Sequence, residues 1–156
     1  MNDVFLPNEM EELSSEFYKI AKQTLIRDKY HQFLAFLVGP DNSLTVVPGV
    51  QRENAEMITM AAQMMNSKGA ILVSEMYLST MDVDDPRKDD PNFAPSKDPE
   101  AKEGLIVSVS DAYGCALVRV LIFEKVNDEI IIKEELCLNE GTMNLIQPWK
   151  KPETIQ

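Results

Sequence analysis

Asn127-Asp128 stands between two long β-prone runs, Cys115 to Phe123 (CALVRVLIF) and Glu129 to Leu138 (EIIIKEELCL). Runs rich in Val, Ile and Leu, joined by a short link of turn-forming residues, fold back on themselves as an antiparallel hairpin. Upstream, Leu105 to Asp111 reaches the first run through Ala112-Tyr113-Gly114. Three strands therefore make a meander, because parallel neighbours would need a crossover of a dozen or more residues. With the turn on Asn127-Asp128, Cys137 is expected opposite Val118 and Cys115 on the other sheet face, while a three-residue turn would put both on one face. Both cysteines are read as reduced packing thiols.

The same register sorts the hairpin by face. Leu117, Leu121 and Phe123 fall with Ile130, Ile132 and Leu136, and Ala116, Val118, Val120 and Ile122 fall with Lys133 and Glu135. One face is continuously apolar and is expected to take the helices. The reverse face, apolar only in its middle, is left for the tail with Trp149 or for a second subunit.

The earlier chain supplies the remaining elements. Met10, Leu13, Phe17, Ile20 and Ala21 recur at helical spacing, which predicts a helix over 9–27, with Asn8 as N-cap and Glu11 placed for a capping box. Residues 33–38 and 43–47 flank Gly39-Pro40-Asp41-Asn42 and read as a hairpin. A second helix is expected over 52–67, with Met57, Ile58, Ala61, Met64 and Met65 on one side and Gly69 as C-cap. That methionine-rich side reads first as a gap-filling core face and second as an adaptable docking surface. A strand follows over 70–80. Residues 81–103 carry Pro86, Pro91, Pro95 and Pro99 without apolar periodicity, which marks a long loop.

The expected fold is α+β: a mainly antiparallel sheet of about six strands with two helices packed on one face, in the order α-β-β-α-β-loop-β-β-β. One domain over 1–147 with a tail at 148–156 suits a chain of 156 residues. Element order alone allows a profilin-like or longin-like arrangement with the third strand at an edge. The net charge of −11 argues against nucleic acid and anionic membrane as partners. With no secretory signal in MNDVFLPNEMEE and no apolar run of membrane-spanning length, a cytoplasmic homodimer without a cofactor is expected.

Chemistry points first to Glu75, a carboxylate inside ILVSEMYLST on the side of Ile71, Val73 and Tyr77. A buried carboxylate needs a cation or takes up a proton. Arg119 within CALVRVLIF is the corresponding cation, and Glu134 stands diagonal to it across the hairpin. An internal ion pair, a general-base site on these three residues, or a Glu75 at a strand end in solvent all follow from this spacing. Asp82, Asp84 and Asp85 offer oxygens to a divalent metal, but Arg87 and Phe93 stand where an EF-hand loop needs Gly and Glu. His31 has no Cys/His partner at zinc spacing and reads as a boundary residue. No phosphate-cradling, zinc-protease or nucleophile-elbow motif is present.

LVSEMY (Leu72 to Tyr77) and APSKDPEAKEGLIVSV (Ala94 to Val109) together resemble a pattern in small bacterial and phage proteins of unassigned activity. There, a strand reading roughly VSEAW precedes a PS…P…E segment and a further strand. Ser74, Glu75, Pro95, Ser96, Pro99 and Glu103 match; Tyr77 replaces the tryptophan, and Ala101-Lys102 stands near the usual arginine. The resemblance implies that Ser74, Glu75 and Tyr77 form one local binding structure with Pro95, Ser96 and Glu103, with Lys97 or Lys102 reaching Glu75. The functional expectation is a non-enzymatic accessory or regulatory protein-interaction domain. The alternatives are a hydrolase using Glu75 with Arg119 and a metal, and an acidic nucleic-acid mimic.

Overall fold

In the computed structural model, the described residues are 8–47, 56–78, 100–111 and 116–139, with Pro86, Asp90 and Asn92 between them. The first helix, α1 (Glu9–Asp28), is followed by β1 (Leu34–Val38), β2 (Leu44–Val46), α2 (Glu56–Met64), β3 (Gly69–Leu78), β4 (Lys102–Asp111), β5 (Ala116–Val126) and β6 (Glu129–Asn139). The six strands form one antiparallel sheet in the order β2-β1-β3-β4-β5-β6. The α+β class read from the sequence is the fold of the protein. The third strand is central, between β1 and β4, and not at an edge. Lys102 and Glu103, expected in the long loop, already pair with Leu78 and Tyr77.

Helix ends differ from the expected caps. Asn8 makes no side-chain cap; its carbonyl accepts from the Glu12 N–H at 3.0 Å. Lys29 closes α1 in the left-handed region, its N–H donating to Leu25. Met64 ends α2, Asn66 takes a positive φ, and the Ser67 N–H donates to the Ala62 carbonyl at 3.0 Å. This is a Schellman-type stop, and it frees Gly69 to begin β3.

Successive residues of a strand point to opposite sides, and each helix takes a different row. Ala21 and Leu25 of α1 pack with Ile71, Val73, Leu105, Val107, Val109, Leu121 and Phe123. Phe17 meets Phe36 edge-on at 5.1 Å. Ile58 and Ala62 of α2 pack with Ala35, Leu37, Ala70 and Leu72, the alternate residues of β1 and β3. The α2 contact therefore lies on the side of the sheet away from α1, where the sequence had suggested one apolar face for both. A third cluster, Ile106, Val118 and Val120 with Met76, Leu78, Ile122, Leu136 and Leu138, continues that second side.

Asn127 and Asp128 both take positive φ, the conformation of a two-residue primed turn. The predicted register holds from Val126↔Glu129 to Phe123↔Ile132. A β-bulge then shifts it by one, so Ile122 pairs with Glu134 and Arg119 with Cys137. Residues after Lys133 change face. Glu135 joins the α1 side, and Leu136 and Leu138 join the third cluster. Cys137 opposes Arg119 rather than Val118 and is a free thiol; Cys115 lies outside the described residues.

Deleting Lys133 removes the extra residue and lets β6 run as a regular ladder, with Glu134 still opposite Ile122, Leu136 opposite Val120 and Leu138 opposite Val118. With every pair and face kept, this deletion should cost under about 1 kcal/mol, and Lys133→Ala under about 0.5. The denaturant midpoint of each variant, at unchanged m-value, measures the difference.

Candidate functional site

Strand β3 is buried from Gly69 to Ser74, and burial relaxes at Glu75. Glu75 shares a cross-strand row with Leu105 and Leu121, on the α1 side of the sheet. Its side chain is 27 % exposed, and the Lys125 ammonium lies 3.7 Å from Oε1. The same ammonium stands 3.9 Å from Oε2 of Glu103 and 5.9 Å from the centre of the Phe123 ring. One lysine on β5 thus bridges carboxylates on β3 and β4, at separations longer than a hydrogen bond. Oε1 of Glu75 is buried and has no hydrogen-bond partner among the described residues. Burial pushes the Glu75 carboxyl above its ordinary value; Lys125 opposes this, Glu103 adds to it, and a backbone hydrogen bond from His31 opposes it.

Arg119 is not the partner of Glu75. Its Nε donates to Oγ of Ser14 at 3.0 Å, and that hydroxyl donates to the Glu11 carbonyl at 2.8 Å. The bulge explains the rest of the expected triad. Glu134 pairs with Ile122 on the second side of the sheet, and Glu135 takes the place diagonal to Arg119. Glu135 accepts from the Tyr18 hydroxyl at 2.5 Å and from Lys22 at 2.8 Å. These two bonds hold its carboxyl below the ordinary range, whereas burial and Glu135 push the Tyr18 phenol up. The three charges singled out in the sequence are therefore divided among a Glu75–Lys125–Glu103 group, an Arg119–Ser14 contact and a Glu134 on the reverse face.

Of the residues in the matched pattern, Ser74 donates to the carbonyl of Glu75 at 3.0 Å, Tyr77 is exposed, and Glu103 pairs with Tyr77 across β3–β4. Pro95, Ser96, Lys97, Asp82, Asp84 and Asp85 lie outside the described residues. Lys102 opposes Leu78, one residue out of step with the Glu75 row, so it does not face that carboxylate. Among the described residues no three His, Cys, Asp or Glu side chains gather as a metal set. His31 is buried at the α1–β1 boundary, its Nδ1 2.7 Å from the Gln32 carbonyl.

Sequence reasoning missed two lysines. Lys125 stands two residues before the Asn127-Asp128 turn, and only its place beside Phe123 in the register reveals its role. Lys68 precedes β3 and is 3 % exposed, with Nζ 3.7 Å from Oε2 of Glu9. A cavity of about 720 Å³ opens where β4 begins and β5 meets β6, lined by Glu100, Glu103, Phe123, Lys125, Lys133 and Glu134 among others. No family model, curated protein or solved structure matches the chain.

With the Glu75 carboxyl raised in the fold, the folded state holds its proton more tightly than the unfolded chain does. This contribution to stability is complete below about pH 4 and is lost as pH rises through the raised value. Glu75→Gln should therefore melt higher than the parent protein near pH 7 and converge with it in acid. A melting difference that stays constant with pH would assign the effect to packing.

Proposed function

We propose that the protein is a non-enzymatic accessory or regulatory interaction domain of bacterial or phage type, acting in the cytoplasm by binding a protein partner. The observation that supports this reading is on α2. Met57, Met60 and Met64 fall at i, i+3 and i+7 along one stripe of the helix, and they are 44 %, 62 % and 85 % exposed. Met65, just beyond the helix, is 50 % exposed. Among the described residues, Ile58 and Ala62, with Ala61 beside them, carry the contact of this helix with the sheet. The methionines that read first as core thus match the second reading, an adaptable apolar surface.

A hydrolase built on Glu75 and Arg119 finds less support. The two groups have separate partners, Lys125 and Ser14. The cavity reaches Glu103 and Lys125 on one side of this group. The resemblance to small bacterial and phage proteins supports the origin, and the charge of −11 supports a partner other than nucleic acid.

Met60→Ser combined with Met64→Ser should leave the unfolding free energy within about 0.5 kcal/mol of the parent, as for other exposed sites. Neither Glu75→Gln nor Arg119→Met should alter turnover of ester, phosphodiester or glycoside substrates above background. A hydrolysis rate that depends on both Glu75 and Arg119 would replace the binding reading with the enzymatic one.

A further inference from the structure

Resting on the binding reading above, the partner's chemistry can be named. We propose that the α2 methionine stripe seats an amphipathic helix of a partner protein, with an apolar face and Lys or Arg along its margins. Three observations select this occupant. Unbranched methionine side chains at i, i+3 and i+7 offer a deformable surface whose period matches the anchor spacing of a docking helix. Ala61, which borders the stripe on its sheet-facing side, is small and packs with the Ile58 and Ala62 cluster, so it leaves the methionines standing outward of the helix. The last turn of α2 carries no basic residue. The helix itself thus offers no cation to the negative end of its dipole beside Met64, and a partner cation meets it there.

Charge argues against a second copy of this chain. Each copy carries a net −11, so two copies repel before their stripes meet. Helix α2 has 9 residues and is only about 13 Å long. Whatever it seats, its stripe falls short of the roughly 800 Å² per partner that a stable interface of standard size buries. The same negative field draws a cationic helix in and accelerates its encounter. A small apolar contact steered by opposite charge gives a complex that forms quickly and reversibly.

The test uses the full chain with its methionine methyl groups observed by NMR. The probe is a short Leu/Lys peptide patterned as an amphipathic helix. Two controls accompany it: a Leu/Glu peptide of the same apolar pattern and a Leu/Lys peptide scrambled out of helical period. The Leu/Lys helix is expected to move the Met57, Met60 and Met64 signals selectively. Its affinity should fall at least about tenfold in the Met60→Ser, Met64→Ser variant, a loss of about 1.4 kcal/mol, and should weaken as salt is raised. Equal binding of the Leu/Glu helix at the same methyls would overturn the cationic partner while leaving a binding surface in place. Binding that survives the serine substitutions unchanged would overturn the stripe as the seat. Methyl shifts that follow protein concentration without peptide would make a second copy the occupant and overturn the proposal. Failure of both helices to touch these methyls would remove the proposal and, with it, the support that the stripe lends to the binding reading.

Discussion

Strand β3 has no solvent-facing row between Gly69 and Ser74. Ile71 and Val73 need cover on one side of the sheet, and Ala70 and Leu72 need it on the other. A strand placed third in sequence and central in the sheet imposes this, since its neighbours β1 and β4 continue both rows. One helix cannot satisfy it. Leu25 and Ala21 supply the first cover and Ile58 and Ala62 the second, so the two helices bracket the sheet around β3. Glu75 stands where the requirement lapses. The row that carries Ile71 and Val73 inside α1's shadow reaches the rim at Glu75, where Lys125 and Glu103 replace hydrocarbon as its neighbours. The carboxylate is tolerated because it is the first residue of its row that the core does not need.

Much of this was legible in the residues. Period, turn chemistry and the Asn127-Asp128 link located every described element and the antiparallel pairing of the last three strands. The half-burial of Glu75 and its need for a cation were also legible, because a charge in an apolar strand always raises that question. The identity of the cation was not. Arg119 stands out in the sequence because it interrupts an apolar run, whereas Lys125 sits beside a turn and draws no notice. A sequence shows which residue is odd in its own strand, but distance across strands depends on register. There a single extra residue at Lys133 exchanged Glu134 for Glu135 and sent Leu136 to the opposite face.

The methionines of α2 carry a similar lesson. In a short helix, the stripe that meets the sheet and the stripe that faces water can be equally apolar, and periodicity alone cannot tell them apart. Ile58 and Ala62 are packed because β1 and β3 present alanines and leucines to them; Met57, Met60 and Met64 fall off the edge of that contact. The position of β3 in the sheet therefore also determines which residues of α2 are left outward.

The bulge in β6 has a further effect on the molecule in concentrated solution. Among the described residues strand β6 ends the sheet, and an uninterrupted border strand is a template on which like chains stack. A kink at Ile122/Phe123, together with the exposed ammonium of Lys133, breaks the straight ladder that a neighbouring chain would have to match. The bulge that absorbs Lys133 and keeps Leu136 and Leu138 on their side thus also guards the border against fibre growth.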